Sequence, residues 1–71
     1  MFTPDSFGRR LRALRLQKGF TQEDLAFYAG TCSAEVSRLE RGLGNPQLLT
    51  ILSLAHVLEV EPADLLKEES E

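Results

Sequence analysis

The 71-residue chain has one cysteine, one histidine, three prolines and no tryptophan. A single thiol cannot close an internal disulfide, and Cys32 with His56 offers too few ligands for zinc, so neither staple of small domains is available. Low cysteine use points to a reducing, cytoplasmic setting. No apolar run approaches the roughly 18 residues that cross a bilayer, so no membrane partner is expected. The N-terminus lacks a signal peptide's apolar stretch. Also missing are paired carboxylates on one face, a Cys-His or Ser-His set, and a glycine loop for phosphate. An enzyme is therefore not expected, nor a cofactor, metal or small-molecule ligand.

Positive charge is not in excess either. The formal charge is −3, which taken alone disfavours a polyanionic partner. Its distribution says otherwise: Met1 to Pro46 carries +2, whereas Gln47 to Glu71 carries −5. Such asymmetry lets one face meet phosphate while the other turns away. Hydrophobic residues make up 42%, too many for a disordered tail, and the length bounds the chain to one domain, residues 1–71, with its core at about 7–66. A short N-terminal arm precedes the core, and an acidic tail, Lys67 to Glu71, follows it.

Periodicity gives five helices and no strand. Phe7, Leu11 and Leu14 recur at helical spacing, with Asp5 or Ser6 as the N-cap and Gly19 as the stop. Thr21 caps a second helix through a Thr-x-x-Asp box; it buries Leu25, Ala26 and Ala29 and stops at Gly30. A third runs from about Ser33 to Arg41 with Val36 and Leu39 inward, and Gly42, Gly44, Asn45 and Pro46 break the chain. A fourth, about Gln47 to Leu58, carries Ile51, Leu54, Ala55 and Leu58 as its apolar stripe. Pro62 opens a short fifth with Leu65 and Leu66. His56 lies opposite the stripe and is expected in solvent, while Phe27 is expected to pack against the first helix.

The stretch TQEDLAFYAGTCSAEVSRLERG, Thr21 to Gly42, is two short helices around a tight glycine turn, with small Ala26 where they must cross. That is a helix-turn-helix, whose second helix enters the DNA major groove. With Val36 and Leu39 inward, the outward residues are Ser33, Ala34, Ser37 and Arg38. Small side chains let the helix approach base edges, and one long arginine can reach guanine O6 and N7. Arg38 is thus the expected specificity residue, with Glu35 as a competing surface partner. Arg9, Arg10 and Arg12 are candidates for phosphate contact.

The segments FGRRLRALR, GFTQEDLA, Gly30, VSRLERG, Asn45-Pro46 and LAHVLEVEPADLL, in this order, resemble the Cro/repressor (Xre) helix-turn-helix family from Phe7 to Leu66. The resemblance implies a compact five-helix, all-α, lambda-repressor-like domain that regulates transcription by binding double-stranded DNA. It places Gln22 against phosphate and a neighbouring base-contact residue. Thr31, Cys32, Ser33, Ala34, Ser37 and Arg38 fall at bases or adjacent phosphates, and Asn45 to Leu48 where backbone amides grip phosphate. It also implies an ion pair between Arg15 and Glu40. Cys32 stands where Ser or Thr usually caps the reading helix, and Ala34 cannot hydrogen-bond a base. A thiol at a helix N-terminus also raises an oxidation switch as a reading of Cys32.

Within the family, LAFYAG and GNPQLLTI resemble the small controller proteins of restriction–modification systems, implying a homodimer that regulates its own operon. Leu48, Leu52, Val60, Leu65 and Leu66 are apolar beyond the core stripe and form the expected dimer interface, although Leu65 and Leu66 could instead close the monomer's core. The expected localisation is cytoplasmic, on the nucleoid. The alternative is a protein-interaction module or antitoxin on the same fold with weak DNA binding, which the net acidity favours.

Overall fold

In a computed structural model, which describes residues 3–67, five helices form: α1 (Pro4–Lys18), α2 (Gln22–Ala29), α3 (Ser33–Glu40), α4 (Leu48–Leu58) and α5 (Pro62–Leu66). Met1 and Phe2 of the expected arm, and the expected tail beyond Lys67, lie outside the described residues. Among the described residues there is no strand, and no helix is long and apolar enough to cross a membrane.

Helix α1 begins earlier than its apolar periodicity suggests. Its cap is Thr3, not Asp5 or Ser6: the Thr3 hydroxyl accepts from the Ser6 backbone N–H at 3.0 Å, and Ser6 Oγ accepts from the Thr3 N–H at 3.1 Å. Pro4 then occupies the first turn, where its missing N–H costs nothing. Helix α2 follows the expected box, with Thr21 Oγ1 accepting from Asp24 N and Asp24 Oδ2 accepting from Thr21 N. Gly19 and Gly30 end α1 and α2 in the left-handed conformation, at φ 82° and 77°, which side chains resist. Helix α3 ends at Glu40, and α4 starts at Leu48, each one residue inside the expected span.

The core joins Phe7, Leu11 and Leu14 of α1 to Leu25 and Ala26 of α2, Val36 and Leu39 of α3, the α4 stripe Ile51, Leu54, Ala55 and Leu58, and Leu65 of α5. Helix α3 packs on α1 and α2, and α4 packs on α2 and α5. One residue makes the α1–α3 crossing possible. Gly8 lies against the backbone of α3: a methyl added there would fall 2.7 Å from the Glu40 carbonyl oxygen and 2.9 Å from its carbon, closer still to the Leu39 oxygen. Phe27 departs from expectation. Leu25, Ala26 and Ala29 set the buried face of α2, and at 100° per residue Phe27 falls nearly opposite. It is 78% exposed and meets Tyr28 edge-on at 5.2 Å rather than α1.

Candidate nucleic-acid interface

Beneath α3 sits a buried polar cluster. Glu40 on α3 receives Arg15 of α1 in a fork: Arg15 Nε donates to Oε2 at 2.5 Å and Nη2 to Oε1 at 3.0 Å. Both side chains are almost fully enclosed, 8% and 3% exposed. Arg15 Nη1 also donates to the Phe20 carbonyl at 2.8 Å, so one guanidinium ties α1, α3 and the α1–α2 turn. A fork of this kind matches carboxylate geometry at both oxygens. The expected pair is therefore present, and it has a third member. Gln22, the first residue of α2, donates from Nε2 to Glu40 Oε1 at 3.0 Å. The side chain's partner in the free protein is thus Glu40, not a base-contact residue. Eighteen residues separate the two, and no local pattern signals the contact.

The outward face of α3 is as expected. Ala34 and Arg38 are exposed, and Ser33 and Ser37 are half-buried at its edges. Thr31 and Cys32 are exposed at its N-terminal end and Asn45 in the α3–α4 loop. Arg38 is half exposed and leans toward Glu35, with 3.9 Å between Nε and Oε1. Its Nη2 also lies beside Gly44, whose absent side chain would sit 3.2 Å away. Neither contact buries the guanidinium. Arg41, which sequence reasoning left out of the site, is exposed at the end of α3 with Nε donating to the Ser37 carbonyl at 3.3 Å. Of the α1 arginines, Arg9 pairs with Asp5 at 2.9 Å, and Arg10 Nε donates to the Asp64 carbonyl at 2.8 Å, clamping α5. Arg12 is exposed.

Capping separates the helices into two groups. The first turns of α1 and α2 are closed by capping boxes, and Asp64 accepts from the Glu61 N–H at 3.1 Å at the start of α5. Helices α3 and α4, whose N-caps are Cys32 and Gln47, have no side-chain cap. Apart from the Glu35 N–H, which donates to the Cys32 carbonyl at 3.0 Å, their first-turn N–H groups remain available to an anion. A hydroxyl at the α3 cap should serve the helix instead: Cys32→Ser is expected to raise stability by about 1 kcal/mol, read as a higher urea midpoint at unchanged slope.

The expected dimer residues divide. Leu48 is 69% exposed, and Leu52 and Leu66 are also in solvent. Leu65 is wholly enclosed in the monomer's core, packed by α1 and α4, so it offers nothing to a partner, and Val60 is half-buried against that core. Leu49, which the sequence reading passed over, is 74% exposed one position round α4. It faces α2, lining a groove with Tyr28, Leu52, Ser53, His56 and Val57. His56 is exposed, as expected. No group of three or more possible metal ligands occurs among the described residues.

Relatives by sequence and by structure point to one family. The family model described as Helix-turn-helix matches residues 11–65. The HTH-type transcriptional repressor RghR of Bacillus subtilis is 44% identical over 57 residues, covering 79% of this chain and 42% of RghR. The regulator y4dJ of Sinorhizobium fredii is 38% identical over 58 residues, 82% of this chain and 75% of that protein. The chain thus spans less than half the length of RghR. Among solved structures, the restriction-modification controller protein C.AhdI from Aeromonas hydrophila superposes with a TM-score of 0.85 at 47% identity, covering 87% of this chain and 94% of that one. SinR, solved in complex with DNA, superposes with a TM-score of 0.82 at 32% identity, covering 86% of this chain and 98% of that one.

Proposed function

Since the chain belongs to the helix-turn-helix family, with the lambda-repressor-like fold, we propose that it regulates transcription as a homodimer that binds a two-fold-related operator in double-stranded DNA. The observation that carries this reading is the coincidence of three features. These are the small and polar outward face of α3, the half-exposed Arg38 on it, and the uncapped first turns of α3 and α4. Ser33, Ala34 and Ser37 let α3 approach base edges. Thr31, Cys32, Asn45 and the open N–H groups hold phosphates, and Gln22 holds another. Likeness to a controller protein supports autoregulation of a restriction–modification operon as the biological setting.

Leu48, Leu52 and Leu66 give the domain an apolar surface that a second copy would cover, placing two reading helices about one DNA turn, roughly 34 Å, apart. Leu52→Glu should then leave a folded monomer in sedimentation and abolish cooperative DNA binding. A parent that stays monomeric at tens of micromolar would remove the dimer from the proposal.

Selection of bound sites from a random DNA pool tests the whole reading. A two-fold-related consensus is expected; recovery of no enriched sequence would leave the interaction-module alternative standing. On the selected site, Arg38→Ala should cost roughly 1–3 kcal/mol and relax preference at one position per half-site. An equal loss on every sequence would instead make Arg38 a phosphate contact.

A further inference from the structure

We propose that Glu40 is a positioning residue for DNA binding: it orients the Gln22 side-chain amide so that a hydrogen-bond donor is presented to a phosphate. The inference rests on the DNA-binding reading above. It starts from the carboxamide itself, which carries a donor and an acceptor on the same carbon and can turn either way. An ionised carboxylate only accepts. Facing Glu40 Oε1, Gln22 must therefore turn Nε2 inward, as the 3.0 Å contact has it, because the opposite orientation sets oxygen against oxygen.

Glu40 can impose this choice because it does not move. Both of its oxygens are held by Arg15, and Arg15 is held in turn by the Phe20 carbonyl. The Arg15 guanidinium also offsets the carboxylate's charge, so the cluster does not repel an approaching phosphate as a bare carboxylate would. Gln22 is half-buried at the N-terminal end of α2, and its amide nitrogen keeps a second N–H beyond the one Glu40 takes. That hydrogen is a donor whose long side chain is ordered before DNA arrives, so binding does not have to arrest it.

The test uses the whole chain, a random-sequence DNA duplex and three variants. Gln22→Met keeps length and removes the hydrogen bonds; Gln22→Glu keeps shape and presents two acceptors to Glu40. Expected in the free parent is one Gln22 side-chain amide proton exchanging more slowly than those of exposed Gln17 and Gln47, with its resonance moving when duplex is added. Gln22→Met should lose roughly ten- to hundredfold in affinity on every sequence, as one hydrogen bond to a charged phosphate requires. The salt slope should stay that of the parent, because glutamine carries no charge to exchange for counterions. Gln22→Glu should lose more than Gln22→Met. Glu40→Gln, if folded, should lose the same factor as Gln22→Met and make that change costless when the two are combined; if it does not fold, the amide exchange of the parent decides. A Gln22 amide exchanging as freely as Gln17, or Gln22→Met binding duplex as the parent does, overturns the inference and leaves the DNA-binding reading intact. A parent that binds no duplex at about 50 mM salt, where sequence-independent binding is strongest, overturns both.

Discussion

Replacing Glu40 by alanine should destabilise the domain by roughly 3–5 kcal/mol, and Arg15→Ala by a similar amount. Each deletion strands the other charge in an enclosed site, since the two side chains are only 8% and 3% exposed. Total stability for a chain of 71 residues is expected at roughly 4–10 kcal/mol, so either change consumes much of it. Urea unfolding followed by circular dichroism reads the loss directly. The sharper comparison is the double replacement Arg15→Met with Glu40→Leu, which removes both charges and should recover most of the loss. Single variants that unfold at the parent's midpoint would mean the pair is solvated and contributes little. Gln22 would be left without a partner in either Glu40 replacement, adding a smaller cost to that arm.

Gly8→Ala is the second large effect. In most helix interiors this change stabilises by about 1 kcal/mol, because alanine loses less entropy on folding. Here the atoms nearest the new methyl are main chain, 2.7 Å away for the Glu40 oxygen and 2.9 Å for its carbon. Backbone cannot rotate aside as a side-chain tip can, so α1 and α3 would have to separate. Overpacking usually costs 1–3 kcal/mol, and this site belongs at or above the upper end, giving a net loss of about 2 kcal/mol or more. Because α3 would be displaced, the folded fraction should also bind DNA more weakly. A variant as stable as the parent would show that the crossing has slack. Gly8→Ser, also carrying a Cβ, should behave like Gly8→Ala.

These two sites show where a sequence speaks and where it does not. Helices α2 and α3, the Thr21 box and the stops at Gly19 and Gly30 are written in local patterns, since caps and left-handed residues act within four positions. The α1 start was present as Thr-Pro-x-Ser but was hidden by the nearby Asp5 and Ser6, which are equally good cap residues. Gly8 falls inside a helical period and looks like a weak helix former; only the approach of α3, more than thirty residues along the chain, shows why nothing larger fits. Phe27 is expected to pack against α1, but the phase of α2 turns it outward. Leu65 is left open between a dimer face and the monomer's core, and the packing of α5 on α1 and α4 decides for the core. The outward residues of α3 followed from phase alone. The Arg15–Glu40 pair followed from family resemblance, and the Gln22 contact from neither.

The packing order has a mechanical consequence. Helix α3 is seated on α1 and α2, while the exposed Leu48, Leu52 and Leu66 belong to α4 and α5. Helix α1 touches α3, α4 and α5, and so acts as the chassis between the part that reads and the part that would pair. In a dimer, the distance between the two reading helices is then set inside each subunit as much as at the junction between them. A small tilt of α1 would be carried to the tips of both arms and change the span they can bridge. In such a dimer, repacking Leu11 or Leu14 would therefore retune the preferred half-site separation without altering a residue at the DNA or at the subunit boundary.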